Sequence, residues 1–132
     1  MAAPLFWAGL YTLTRPTIDL LWPLNTPAAF VLPALIYPVL EEIVFRGAGQ
    51  GLAWRTKLAN YAIGPLSGPN LLVSAVFTSL HVILQGGWLA GSVLIPSLIF
   101  GYFRDRYNNI APCIVLHVVY NVGLFLLFKA PG

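Results

Sequence analysis

Charged positions divide this chain into long apolar runs. Residues 20–40, 58–103 and 107–128 contain no Asp, Glu, Lys or Arg. A helix that crosses the hydrocarbon core of a bilayer needs about 20 mostly apolar residues. The middle run is long enough for two such helices with a turn between them. Gln85-Gly86-Gly87 supplies the turn, because paired glycines punctuate helices. The pattern predicts four spans near 27–47, 70–85, 88–105 and 111–128. A further helix is expected near 4–22, crossing the bilayer or lying in its interface. Within it Arg15 and Asp19 have the spacing that pairs two side chains on one helix face. The expected fold class is all-α: a polytopic membrane helix bundle of four core transmembrane helices plus an N-terminal membrane or interfacial helix. It forms a single domain over 1–132, with 1–22 peripheral.

Prolines recur within the apolar runs. Pro33 and Pro38 interrupt the first predicted span and Pro96 the third. Each removes a backbone donor, which a membrane helix tolerates when its neighbours satisfy the freed carbonyls. Pro112 falls near the start of the last helix, where a missing N–H costs little. The longest polar connection is 48–69, rich in Gly, Asn, Ser and Pro. If the spans alternate, this loop and 104–110 lie on one side, and together they hold Arg55, Lys57, Arg104 and Arg106. The opposite side has little besides Lys129. The positive-inside rule therefore places the two basic loops in the cytoplasm.

Composition agrees. Charged residues make up 8 % of the chain and apolar residues 58 %, against about 25 % charge in a soluble domain. The net charge of +3 is spread over loops and helix ends without forming a stripe. It reads as a topology signal and not as nucleic-acid binding. Trp7, Trp22, Trp54 and Trp88 fall near span ends and read as an aromatic belt. Cys113 is alone, so no internal disulfide exists, and it is expected to be a small buried residue. The first residues lack the basic region of a cleavable signal peptide. The expected location is the inner (cytoplasmic) membrane, multi-pass, in direct contact with the lipid bilayer.

Against this background the ionisable residues stand out. Two of the four acidic residues, Glu41 and Glu42, end an apolar run beside Arg46. Both histidines, His81 and His117, fall within others. Ionisable groups near lipid are costly and mark functional sites. At about 1.5 Å of rise per residue, Glu41 lies roughly 10 Å in from its cytoplasmic helix end and His81 roughly 16 Å. His117 and Asn121 lie roughly 10 and 16 Å in. Polar groups from three spans thus share one depth band.

The two glutamates differ. Glu42 precedes Arg46 by four residues, the favourable order for a helical ion pair. Glu41 points about 100° away with no local cation, and so suits a general base. Phe77 and His81 share a helix face, as do His117 and Asn121. The second pair places two hydrogen-bonding groups where they can hold a developing oxyanion. Tyr120 adjoins that pair. Gly91, Ser92 and Ser97 read as small packing residues.

Glu41-Glu42-x-x-x-Arg46, Phe77-x-x-x-His81 and His117-x-x-x-Asn121, in this order on successive spans, resemble the three motifs of the CAAX-protease and bacteriocin-processing (CPBP, Abi) family of intramembrane glutamic endopeptidases. The resemblance covers 28–128. It implies peptide hydrolysis in a membrane-associated protein or peptide substrate without a cofactor. Glu41 then matches the carboxylate that activates water, and His81 its partner in holding that water. His117 and Asn121 match the oxyanion-stabilising pair, and Glu42, Arg46 and Phe77 match supporting positions. Larger members carry further helices around this core. Their absence here favours self-association as a homo-oligomer, and a compact member suits trimming of a C-terminal sorting tail. The site is expected in a polar cavity open toward the cytoplasmic side.

Three rival readings follow from the same residues. Glu41 or Glu42 with His81 and His117 makes a carboxylate–histidine set for zinc, although the chain lacks His-Glu-x-x-His and Asn121 is a poor zinc ligand. A serine mechanism lacks support: Ser79 and His81 point to different faces, and no Gly-x-Ser-x-Gly elbow occurs. A non-enzymatic immunity or binding protein would use the polar band for packing or for a partner.

Overall fold

The computed structural model describes residues 2–16 and 19–128, and the backbone alone of Trp88. Lys129 lies outside the described residues. The chain is overwhelmingly helical. Helix α1 spans Ala3–Thr14 and the short α2 Trp22–Asn25. Helix α3 is continuous over Pro27–Ala53. A 3₁₀ turn at Lys57–Asn60 and a two-stranded antiparallel hairpin, β1 (Ala62–Ile63) and β2 (Leu66–Ser67), lead to α4 (Gly68–Gln85). Then come α5 (Gly87–Gly91), α6 (Leu94–Tyr107) and α7 (Ala111–Leu127).

The boundaries have local causes. Pro4, Pro27, Pro69 and Pro112 each sit in a first helical turn, where the missing N–H has no intrahelical acceptor to lose. The Ser67 hydroxyl accepts from the Asn70 N–H at 3.1 Å and caps α4. Gly86 and Gly87 take φ of 72° and 76° between α4 and α5. A side chain there would be strained, and the turn falls where the paired glycines predict it.

Helix α3 is not uniform. It widens into π-helical turns at Leu32–Ile36 and Ile43–Gly49. In the first, the Tyr37 N–H reaches back to the Leu32 carbonyl. The Pro33 carbonyl would then pair with the N–H of residue 38, which proline lacks. Asn121 on α7 fills the gap, its Nδ2 donating to Pro33 O at 2.9 Å. A neighbouring helix thus satisfies the carbonyl that proline frees.

The distribution of side chains inverts that of a soluble domain. Glu42, Arg46, Gln50, Asn70, Ser74 and Ser97 are fully buried, while Leu40, Ile43, Val44, Ile83 and Leu84 face outward. Apolar surface outside and polar groups gathered inside fit a lipid environment. Helices α3 and α4 are long and apolar enough to cross a membrane, and α7 is a shorter apolar helix. Helix α4 packs on α6, α6 on α7, and α7 on both α3 and α1.

Several expectations change. Helix α3 runs to Ala53 instead of ending near 47, because Gln50 continues the buried face of Glu42 and Arg46. The 88–105 segment divides at Ser92-Val93, which places Pro96 in the first turn of α6. Helix α1 stops at Thr14, with Arg15 left-handed at φ 45°, so Arg15 and Asp19 do not share a helix face. The tryptophans are anchors more than a belt. Trp7 Nε1 donates to Tyr120 O at 3.0 Å, Trp22 Nε1 to Phe125 O at 2.8 Å and Trp54 Nε1 to Asp105 at 2.8 Å. Trp22 is almost fully buried, and the side chain of Trp88 lies outside the described residues. Cys113 is buried as expected.

Close helix approach rests on small residues. A methyl group on Gly101 would overlap the Asn70 carboxamide. That carboxamide cannot move freely: it donates to Leu98 O at 3.0 Å and accepts from Ser74 Oγ at 3.0 Å. Gly101→Ala is expected to cost about 1–3 kcal/mol through overpacking. Gly51→Ala, whose methyl group points into open space within a helix, should instead stabilise by about 0.4–1 kcal/mol. Thermal unfolding of the two variants in detergent checks the contrast.

Candidate active site

The site is assembled from α3, α4, α6 and α7. On α3, Glu42, Arg46 and Gln50 follow one another a turn apart, and all three are fully buried. Glu42 Oε2 stands 3.5 Å from Arg46 Nε. Arg46 Nη2 donates to the Ser97 hydroxyl at 2.6 Å and to the Ser97 carbonyl at 3.0 Å. The Arg46 guanidinium also lies 5.5 Å from the centre of the Phe77 ring, within cation–π range. Arg46 is thereby tied to α4 and α6 as well as to its own helix.

Glu42 holds a second partner. His117 Nδ1 lies 2.8 Å from Glu42 Oε1, so the carboxylate accepts and Nδ1 carries the proton. His117 Nε2 then faces Glu41 Oε2 at 3.7 Å, longer than a direct hydrogen bond. The imidazole ring stacks on Phe100 with centroids 4.9 Å apart and meets the edge of Phe77 at 6.0 Å. One carboxylate fixes the ring while the other stands at its open edge.

His81 is oriented by its own helix. Its Nδ1 lies 3.0 Å from Phe77 O. A carbonyl only accepts, so Nδ1 donates and Nε2 is left with a lone pair in the neutral ring. The His81 and Phe77 rings are 4.3 Å apart. Phe77 itself is buried and touches both histidines and Arg46, so it acts as the wedge that spaces them.

Glu41, His81, His117 and Asn121 all line one cavity of about 440 Å³, and Tyr120 lines it too. Glu42 and Arg46 stand behind its wall. Glu41 remains partly open, its side chain 30 % exposed, whereas that of Glu42 is inaccessible. Among the described residues, no three of His, Cys, Asp and Glu are grouped to hold a metal ion.

The cavity does not open toward the basic loops. On α3 its lining residues are Pro33, Tyr37 and Glu41, and on α4 Phe77, His81 and Gln85. On α7 they begin at His117 and continue to Phe128. Each series runs from the level of Glu41 to the bundle end remote from residues 54–67 and 108–110. The expected opening on the side of the basic loops is thus corrected, because buried side chains close that end.

The closure is a polar network that sequence reasoning missed. Asp105 accepts from Gln50 Nε2 at 2.7 Å, from Trp54 Nε1 at 2.8 Å and from Ser67 Oγ at 2.6 Å. Gln50 also donates to Gly101 O at 3.0 Å. Ser97, read as a packing residue, is the anchor of Arg46. The signal for Gln50 was present, since it repeats the spacing of Glu42 and Arg46. Ser97 and Asp105 carried none, because their partners lie 38 to 55 residues away.

The family model described as Type II CAAX prenyl endopeptidase Rce1-like covers residues 23–123. No solved structure matches the chain.

The geometry separates the two glutamates by stability. Glu42→Gln leaves the Arg46 charge buried without its carboxylate and should cost about 3–5 kcal/mol. Glu41→Gln, at the cavity wall, should stay within about 0.5 kcal/mol. Chemical or thermal unfolding of both variants in the same detergent gives the comparison.

Proposed function

The chain belongs to the Rce1-like type II CAAX prenyl endopeptidase family, and from that membership we propose that it is an intramembrane endopeptidase in which Glu41 activates the attacking water. The substrate is a membrane-associated protein or peptide. In this reading α3, α4, α5 with α6, and α7 cross the bilayer of the cell membrane, and α1 packs beside them. The observation that carries it is the meeting of Glu41, His81, His117 and Asn121 on one cavity, with His117 set between the two glutamates.

Water held between Glu41 and His81 Nε2 loses a proton to Glu41 as its oxygen attacks the scissile carbonyl carbon. The carbonyl π electrons move to oxygen, and the oxyanion is met by His117 Nε2 and the amide of Asn121. Glu42 accepts from His117 Nδ1, so Nε2 donates to the oxyanion when the ring carries both protons. Collapse of the intermediate breaks the C–N bond. The proton taken by Glu41 passes to the leaving nitrogen, giving a new carboxyl terminus and an amine. Asn121 spends one amide hydrogen on Pro33 O and has a second to offer. The proline-opened turn of α3 thus also sets the position of the oxyanion donor.

Purified protein should cleave membrane-anchored model peptides. Glu41→Gln should lower kcat by at least about 10³-fold without unfolding the chain, on the scale of losing a general base and its water. The wild-type rate should survive exhaustive chelation. Loss on chelation with recovery on adding zinc would place Glu41, His81 and His117 around a metal ion instead. Equal cleavage by wild type and variant would sink the enzymatic reading and favour a binding protein.

A further inference from the structure

Two independent features set the direction from which the site is reached. The first is the shape of the cavity. On three helices the lining residues extend one way only from the level of Glu41 and His117. They end at Gln85-Gly86 after α4 and at Phe128 after α7, and Leu89 and Ser92 of the α5 region complete that rim. Gln85, Gly86 and Leu89 are exposed. In the other direction Glu42, Arg46, Gln50, Asn70, Ser74 and Ser97 are each inaccessible. Beyond them Asp105 binds α3, α6 and the hairpin together through Gln50, Trp54 and Ser67. Entry from that end would have to break this network and expose a buried ion pair.

The second feature is charge. Arg55, Lys57, Arg104 and Arg106 gather at the closed end, where α3 and α6 finish and α4 and α7 begin. Lys and Arg mark the cytoplasmic ends of spans. These four outnumber Arg15, which follows Thr14 of the cavity wall at the other end, so closed end and cytoplasmic end are the same end.

We infer that the cavity is entered from the extracytoplasmic face, so that the substrate is a membrane-anchored protein whose cleaved segment has already been carried across the bilayer. The inference rests on the protease reading of the site. The wall between the rim and Glu41 is mostly apolar, with Leu10, Leu89, Leu124 and Phe125. It suits an extended segment bearing apolar side chains better than a charged one. Glu41 is the acidic residue at its inner end, and a basic residue beside the cleaved bond would be tolerated more readily than an acidic one.

The test uses the full chain with Cys113→Ala, which removes the native thiol. Single cysteines are placed at the rim, Gln85→Cys, and in the basic loop, Asn60→Cys. A membrane-impermeant maleimide is applied to spheroplasts and to inverted vesicles. Gln85→Cys should label in spheroplasts and lose its labelling in inverted vesicles, and Asn60→Cys should do the reverse. Gln85→Cys labelled from the cytoplasmic face, from both faces, or only after denaturation overturns the inference. A second arm displays the same anchored peptide on either face of cells producing the protein. Cleavage confined to the extracytoplasmic display supports it, and cleavage confined to the cytoplasmic display overturns it. Cleavage of neither overturns the protease reading, and the labelling arm then decides the direction of access by itself.

Discussion

A buried guanidinium is the constraint on which the rest of this structure depends. Arg46 is inaccessible to solvent, and in a low-dielectric surround an unpaired charge of that kind is not tolerated. Glu42 on the preceding turn supplies the counter-charge, Ser97 on α6 supplies the hydrogen bonds, and the Phe77 face on α4 supplies the π contact. Three helices are therefore fixed relative to one side chain. In lipid, where apolar contacts between helices have little advantage over contacts with acyl chains, such polar ties decide how helices are registered.

The same arrangement leaves one glutamate committed and the other available. Glu42 divides its two oxygens between Arg46 and His117. Glu41, next in sequence but turned about the helix axis, meets His117 at a longer distance and faces the cavity. Adjacent identical residues thus differ in accessibility and partners through helix geometry alone. Proline chemistry has a comparable reach: the N–H absent at Pro38 leaves Pro33 O for Asn121, which joins the first helix of the site to the last.

Much of this was legible in the chain. The apolar runs located α3, α4 and α7 to within a few residues, and paired glycines located the turn after α4. The polar residues at matching depth on separate runs did converge. Helical spacing correctly paired Glu42 with Arg46 and set Phe77 beside His81. These features depend on local periodicity and on the intolerance of lipid for isolated polar groups, and both are written in the order of residues.

Other features came only with the tertiary structure. The break of α1 at Arg15 and the division near Ser92 follow from packing that no local pattern records. The roles of Ser97 and Asp105 depend on partners remote in sequence, and small or single polar residues give no hint of which helix they will meet. The side on which the cavity opens was misjudged for the same reason. Helix periodicity sets which residues share a depth, but closure of one bundle end requires knowing that Gln50, Asp105 and Ser67 meet there. The order of residues sets which groups must be drawn together away from lipid. Their division into wall, floor and mouth arises only on packing, because hydrogen bonds between distant residues close one end and leave the other open.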